Sequence, residues 1–585
     1  MSARIGVFVC YCGLNISSTV DVEAVAEALK GYPDVVVSTT YKYMCSDPGQ
    51  KLIGEAVAEH HLDRFIVAAC TPNLHLRTYR TLGANLGLNP FQVEQANIRE
   101  QCSWVHQSDR AAATAKAVEV IKAVVEQIRR DEPLTPGEAA ITRRVLVIGG
   151  GLAGIQAALD IADAGYAVVL VEREPYLGGH MRRLSGTYLN FNAPPGLLEE
   201  RIERVTHHPN IQVLTQSEVI ALSGYLGNFE AKVIQHDGEQ EEPYTFDAGA
   251  VIVATGYETL PLTRLPMYGG GAIPNVIDGL SFEAMLNPDG PTGGQVRRPS
   301  DGQIPQHVVW LQCAGAREPA STTEGVAYCS KVCCMTTAKQ TLQYKALVPE
   351  GQATVFYMDI RSAGLGYDEV VQRAMQEEDV LYLRGKVSRL FERDGKVIVW
   401  GADTLSGLAV EVEADLVVLQ TPMIPRHDAA QVAQLARLSQ SADGFFAEAH
   451  VKMRPVETFT AGVFLAGTAQ APRDIPETVA QASAAASKVL GLFALPKLVL
   501  DPTIATVDPA ICAGCGVCLE VCPYDARSID PWAKVAVVNP ALCQSCGACV
   551  VACPNKASRL INSRPDQVLA MVDAALESCW EGRHG

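Results

Sequence analysis

Short apolar runs alternate with amphipathic stretches along most of this chain, a pattern that predicts parallel sheets with helices between their strands. In residues 1–137 the runs Ile5–Val9, Val35–Thr40 and Arg64–Ala69 read as buried strands, with helical patterns over Val22–Leu29 and Gln50–Glu59 between them. A helix over Ala111–Arg130 closes this α/β segment, and Asp131–Thr142, with its two prolines, reads as a linker. The same alternation resumes over 143–495. There Arg144–Ile148 and Ala167–Val171 read as strands around a helix at Ile155–Ala164, and the proline-rich stretch Asn287–Gln306 reads as an exposed loop. A short linker at Pro496–Pro502 leads to a glycine- and cysteine-dense module over 502–562, and the remaining residues 563–585 hold an amphipathic helical pattern, Pro565–Trp580. At 585 residues the chain exceeds the roughly 250–300 that one core sustains, so several domains are expected.

Composition narrows the setting. A net charge of −17 without a Lys/Arg cluster speaks against nucleic acid as a partner. Eighteen cysteines in an acidic chain, with no signal peptide read at its start, point to a reducing cytoplasm where thiolates serve metal rather than disulfides. No run approaches the roughly 20 uncharged apolar residues of a membrane span.

The cysteine spacing supplies the first chemistry. Cys512, Cys515, Cys518 and Cys522-Pro523 are followed by Cys543, Cys546, Cys549 and Cys553-Pro554. This is the doubled run of a two-cluster ferredoxin, in which the fourth cysteine of each run ligates the other cluster. One 4Fe–4S cluster is therefore assigned to Cys512, Cys515, Cys518 and Cys553, and a second to Cys543, Cys546, Cys549 and Cys522. Zinc knuckles would account for paired CxxC units but not for two full runs each ending in Cys-Pro.

The second chemistry is a nucleotide fold. Gly149, Gly151 and Gly154 follow a buried strand and open a helix, and Glu172 ends the next strand, placed to accept ribose hydroxyls. Gly178-Gly179-His180, the segment ending in Thr255-Gly256 and the segment ending in Gly467 accompany them. The set resembles the two-dinucleotide disulfide reductases, which implies FAD. The second glycine fingerprint that such enzymes use for NAD(P)H is missing, because the strand at His307 leads into Cys313-Ala-Gly315. Also absent is their redox disulfide. Instead Cys313, Cys329, Cys333 and Cys334 fit one more cluster, with buried packing cysteines as the plainer reading. Cys329 is read one helical turn before Cys333-Cys334. Lys339, on the same predicted helix, is placed to direct a cation at the flavin; a solvated lysine is the alternative. In the N-terminal segment Cys10, Cys12, Cys45, Cys70 and Cys102 lie beyond strand ends, where an open parallel sheet binds ligands. Five candidates for four positions leave at least one bystander.

Val7-Phe-Val-Cys10-Tyr-Cys12-Gly13, Tyr43-Met-Cys45-Ser46-Asp47-Pro48-Gly49-Gln50, Ala96-Asn-Ile-Arg99-Glu-Gln-Cys102-Ser-Trp104, Tyr328-Cys329-Ser-Lys-Val-Cys333-Cys334 and Asp474-Ile-Pro-Glu-Thr-Val-Ala-Gln481 resemble the family of heterodisulfide reductase A-type subunits (HdrA), in order along essentially the whole chain. The resemblance implies an α/β iron–sulfur flavoprotein: an N-terminal α/β cluster domain, a thioredoxin-reductase-like FAD domain of Rossmann type and a C-terminal two-cluster α+β ferredoxin domain. It implies an electron hub whose flavin splits an electron pair between a high-potential disulfide and low-potential ferredoxin. A flavin-proximal lysine matches Lys339. The partners it implies are B- and C-type subunits, a hydrogenase, formate dehydrogenase or NADH-oxidising module, ferredoxin, and a second copy of the chain as a homodimer. Three departures stand out: Gly227–Thr245 lacks the inserted ferredoxin domain of many members, Tyr188–Pro195 replaces a cysteine-bearing stretch, and the Cys313–Cys329 loop is longer. Losing the insert removes one electron branch and leaves open a role in a sulfur- or quinone-linked complex. Two other readings stay open: an NAD(P)H-oxidising flavoprotein like the small subunit of glutamate synthase, and an electron-carrying scaffold with a vestigial flavin.

Overall fold

The first apolar runs pair as a four-stranded parallel sheet in the order Val35–Tyr41, Ile5–Cys10, Arg64–Ala69, Val93–Asn97. Alternation along the central strand sends Ile5, Val7 and Val9 to one face, against the helices Val22–Leu29 and Arg110–Arg130, and Phe8 and Cys10 to the other. Both faces are covered, as a parallel sheet requires. The helix Pro72–Asn85, which periodicity missed, begins at a proline and packs Tyr79 and Gly83 inward. The computed structural model describes residues 3–189, 194–236, 243–319 and 324–581 and divides into two units, Met1–Ala139 with Val499–Gly585, and Ala140–Leu498.

The segments read as separate N-terminal and ferredoxin domains thus fall in one unit. The tail helix Pro565–Glu581 lies along the helix Arg110–Arg130, and Lys122 pairs with Glu577 at 2.7 Å. Asn562 and the backbone of Glu132 exchange hydrogen bonds at 2.9 and 3.0 Å. Gln567 donates to Asp131 Oδ1 at 3.0 Å and to the Arg130 carbonyl at 3.1 Å. The ferredoxin segment itself is two antiparallel strand pairs, Ala505–Val507 with Ser558–Leu560 and Arg527–Ile529 with Ala536–Val538. Between them lies a small core that includes Cys518 and Cys549.

The other unit holds two five-stranded parallel sheets. The first runs Val463–Leu465, Ala250–Val253, Arg144–Ile148, Ala167–Val171, Ile211–Leu214; the second runs Val276–Asp278, Leu416–Leu419, His307–Leu311, Gln352–Tyr357, Leu381–Arg384. The helix after the glycine turn spans Leu152–Asp163, three residues earlier than its apolar pattern suggests. Gly154 therefore sits in its first turn, where a Cβ would collide with the Gly149 carbonyl. Part of the expected Tyr188–Pro195 and Gly227–Thr245 connections lies outside the described residues. No described helix is long and apolar enough to cross a membrane.

Candidate functional site

The carboxyl ends of the first five-stranded sheet open into a cavity of about 1420 Å³. Gly149, Gly151, Glu172, Gly179, His180, Thr255 and Gly256 all line it. Gly149 has φ +109°, and a Cβ there would strike the Ala254 carbonyl, so only glycine makes this turn. Beyond Gly151, at the N-terminus of the helix Leu152–Asp163, nothing stands within 4 Å of where a Cβ would be. An open glycine backbone at a helix N-terminus is the cradle a pyrophosphate needs. Glu172 is fixed as its carboxylate accepts from the amides of Gly150 at 2.6 Å and Glu174 at 2.8 Å. Gly154 and Gly467 do not line the cavity; Gly467 packs against Ala153, and its neighbour Thr468 forms the wall. His180 bonds the Tyr257 carbonyl at 2.9 Å, and burial holds its imidazole below the usual pKa. The donor set and the size fit FAD.

Cys333 and Lys339 line the same cavity from the helix Cys333–Leu347. Lys339 is not solvated: at 2% exposure it pairs with Glu283, 1% exposed, at 2.5 Å. Its ammonium also donates to the Gly186 carbonyl at 2.9 Å and to Ser185 Oγ at 3.3 Å. Glu283 in turn accepts from the Ser185 amide and hydroxyl and from Gln340. The cation expected from sequence is thus one half of a buried pair, and Glu283, on the apolar helix Gly279–Leu286, is the partner that sequence reading missed. A lone carboxylate on such a face was the available signal.

The thiol of Cys333 is the hydrogen-bonding neighbour of both Cys313 and Cys334. The bond from Cys333 lowers Cys313, while its bonds to Cys313 and Cys334 raise Cys333. Cys329 lies in a loop before the helix, not one turn down it, because the helix starts only at Cys333. The Arg317 amide bonds the Tyr328 carbonyl at 3.1 Å, folding the Cys329 end of that loop back toward the Cys313 turn.

In the other unit two small cavities sort the ferredoxin cysteines. One is lined by Cys512, Cys515, Cys518 and Cys553, the other by Cys522, Cys543, Cys546 and Cys549. The crossed pairing expected from spacing is therefore the one the fold brings together. Backbone amides of Ala505, Ala526, Ala536 and Ala557 point at Cys543, Cys522, Cys512 and Cys553 at 3.2–3.4 Å, the donors that cluster sulfurs use. Arg527, buried beside Cys549, is a further residue that sequence reading passed over.

Of the five N-terminal candidates, Cys10, Cys12, Cys45 and Cys70 gather beside the Phe8 face of the sheet. Cys102 packs on the opposite face, in the core beneath the helix Arg110–Arg130. The difference is tertiary: Cys102 follows the fourth strand in a wide π-type helical turn, Arg99–Ser103, and joins the core that also holds Ile98 and Ala113. Arg99 donates to Cys12 Sγ and Gln95 to Cys70 Sγ, each at 3.5 Å. Burial pushes the Cys10 thiol up to about 11. Among the described residues no three His, Cys, Asp or Glu side chains converge on a single-ion site; a cluster instead takes thiolates around its corners.

A family described as pyridine nucleotide-disulphide oxidoreductase matches residues 143–281, and a 4Fe-4S dicluster domain family matches residues 504–559. In Methanopyrus kandleri, the first of two CoB–CoM heterodisulfide reductase iron–sulfur subunits of the A type is 40% identical over 601 residues, which cover 89% of this chain and 90% of the relative. The A-type subunit of the H(2):CoB–CoM heterodisulfide,ferredoxin reductase of Methanothermobacter thermautotrophicus is 38% identical over 90% of this chain and 91% of its own. Among solved structures, T. acidophilum thioredoxin reductase is similar over 60% of this chain and 98% of its own, at 17% identity and a TM-score of 0.41.

Proposed function

We propose, from the premise that this chain belongs to the HdrA family, the A-type iron–sulfur subunits of CoB–CoM heterodisulfide reductase, that it is the electron hub of a heterodisulfide-reductase-like complex. It is an oxidoreductase of the flavin and 4Fe–4S type. FAD, when bound, exchanges electrons in pairs or singly, whereas each cluster carries one at a time.

The shared wall carries this reading. Cys333, one of the central thiols, opens onto the same cavity as the glycine turn at Gly149–Gly151. Gly149, Gly151 and the helix behind them hold the pyrophosphate, Glu172 the ribose, and His180, Thr255 and Gly256 the remaining wall. Cys313, Cys329, Cys333 and Cys334 hold a cluster beside that wall. Lys339, held by Glu283 and Ser185, presents a fixed ammonium to the cavity.

Cys10, Cys12, Cys45 and Cys70 hold a further cluster, with Cys102 a core residue, and the ferredoxin cysteines hold two. The disulfide substrate is assigned to a partner. The names of relatives join the CoB–CoM heterodisulfide to ferredoxin and, in some, to H2 or formate. By that likeness the partners are the disulfide-reducing subunits, ferredoxin and an electron-supplying enzyme. The chain distributes electrons between a higher- and a lower-potential branch, and its clusters are the exits.

Iron, acid-labile sulfide and FAD per chain of anaerobically purified protein test the reading. Four 4Fe–4S clusters predict about 16 iron with one FAD. A value of about 8 iron would confine clusters to the ferredoxin segment, make the other cysteines structural and overturn the hub.

A further inference from the structure

The two halves of the ferredoxin segment repeat each other in cysteine spacing but differ at one buried position. Five residues after Cys522 stands Arg527; five residues after Cys553 stands Ser558. Each side chain is buried, Arg527 at 7% and Ser558 at 3% exposure. Each occupies the first position of its short strand, and each lines its own cysteine cavity. Ser558 offers a hydroxyl to Cys553. Arg527 instead donates Nη2 to Cys549 Sγ at 2.7 Å, and its Nη1 is buried without a partner among the described residues. A full positive charge thus stands in one half where a neutral hydroxyl stands in the other.

Cluster potentials follow net charge, hydrogen bonds to sulfur and exposure. Backbone donors to the sulfurs are matched in the two halves, and each has one exposed cysteine, Cys515 or Cys546. Charge is what differs. A reduced cluster carries one more negative charge than an oxidised one, so a nearby buried guanidinium favours reduction. Arg527 also acts through space on Cys518, across the small core, but its direct contact is with Cys549.

We propose that Arg527 sets the order of potentials in the ferredoxin segment, making the cluster of Cys522, Cys543, Cys546 and Cys549 the stronger electron acceptor. The inference rests on the assignment of these cysteines as cluster ligands under the proposed function. In the step it governs, one electron leaves the cluster of Cys512, Cys515, Cys518 and Cys553. The same electron enters its neighbour, with no proton moved and no bond made. An electron entering the segment rests beside Arg527.

The test is an EPR-monitored redox titration of the full cluster-loaded chain, with Cys546→Ser and Cys515→Ser used to assign signals to each cluster. Arg527→Ser should lower the potential of the Cys546 cluster by at least tenfold in its reduction equilibrium, 59 mV for one electron, and lower that of the Cys515 cluster by less, so that the gap between the two narrows. Arg527→Lys should keep most of the wild-type gap. Arg527→Gln retains a buried donor without charge; a drop like that of the serine variant supports the charge argument even if the serine variant loses iron. Unchanged potentials in Arg527→Gln at full iron content overturn the proposal alone. A wild-type chain with no iron in this segment overturns the ligand assignment along with it.

Discussion

Lys339 and Glu283 touch at 2.5 Å with almost no solvent around either, and Ser185 and Gln340 satisfy the remaining carboxylate sites. A buried pair of this kind adds little net stability over an apolar pair, but removing one partner leaves a bare charge and costs about 3–5 kcal/mol. Lys339→Met should therefore destabilise the flavin-domain unfolding transition by about that amount. Adding Glu283→Gln, which keeps an acceptor for Ser185, should recover most of it. Urea denaturation followed by flavin fluorescence measures both; additive losses in the double variant would contradict a coupled pair. The contrast with the ferredoxin cysteines shows what was legible. Their spacing is local, so the chain itself displays it, and the crossed sets that line the two cavities follow from it. Glu283 and Lys339 meet from helices separated by a strand and a long loop, and Arg527 occupies a position where no spacing rule marks a charge. Cys102 was likewise indistinguishable from Cys70, since which face of a sheet a residue beyond the strand takes is decided by the turn that follows.

The strand His307–Leu311 and the turn after it decide what the second parallel sheet can bind. A nicotinamide site needs a strand, a glycine turn and an immediate helix whose N-terminus meets the pyrophosphate. Here Cys313 takes φ +57° and Gly315 packs against Leu260 and Leu265, while the next helix among the described residues begins only at Cys333. The element that would hold the dinucleotide instead brings three thiols together. NADH or NADPH added anaerobically should leave the flavin absorbance of the loaded chain unchanged, whereas dithionite bleaches it. Rapid bleaching by either nucleotide would restore the plain NAD(P)H-oxidising reading. Strand positions were readable from their apolar runs, and the glycine turn from its own residues. The helix Pro72–Asn85 escaped because its exposed face is polar and only Tyr79 and Gly83 are fully buried.

Across the whole chain, the N-terminal segment and the ferredoxin segment meet where Asp131 caps the helix Arg110–Arg130 and accepts from Gln567. Burial, with Glu94 nearby, raises the Asp131 carboxyl from 3.8 to about 7 despite Arg64, Arg80 and Arg564. A raised carboxyl pKa means the folded chain holds a proton that the unfolded chain has released. Stability therefore falls as pH rises through the window from about 4 to about 7. Asp131→Asn keeps the acceptor for Gln567 and should flatten that slope; thermal denaturation at pH 5 and pH 8 would read it, and an unchanged slope would place the proton elsewhere. The apolar pattern divides the chain into successive stretches, but it carries no record that segments so far apart share one unit. That discontinuity has a consequence for biosynthesis. The helix Arg110–Arg130 leaves the ribosome long before the helix Pro565–Glu581 that covers it, and the cavity begun by Cys512, Cys515 and Cys518 is not closed until Cys553 emerges. The Ala140–Leu498 unit can mature during translation, whereas the unit split between the two ends of the chain must wait, partly uncovered, for nearly the entire chain. Closure of the two ferredoxin cavities is thus a late event, whereas Cys10, Cys12, Cys45 and Cys70 are all in place before the flavin unit has begun.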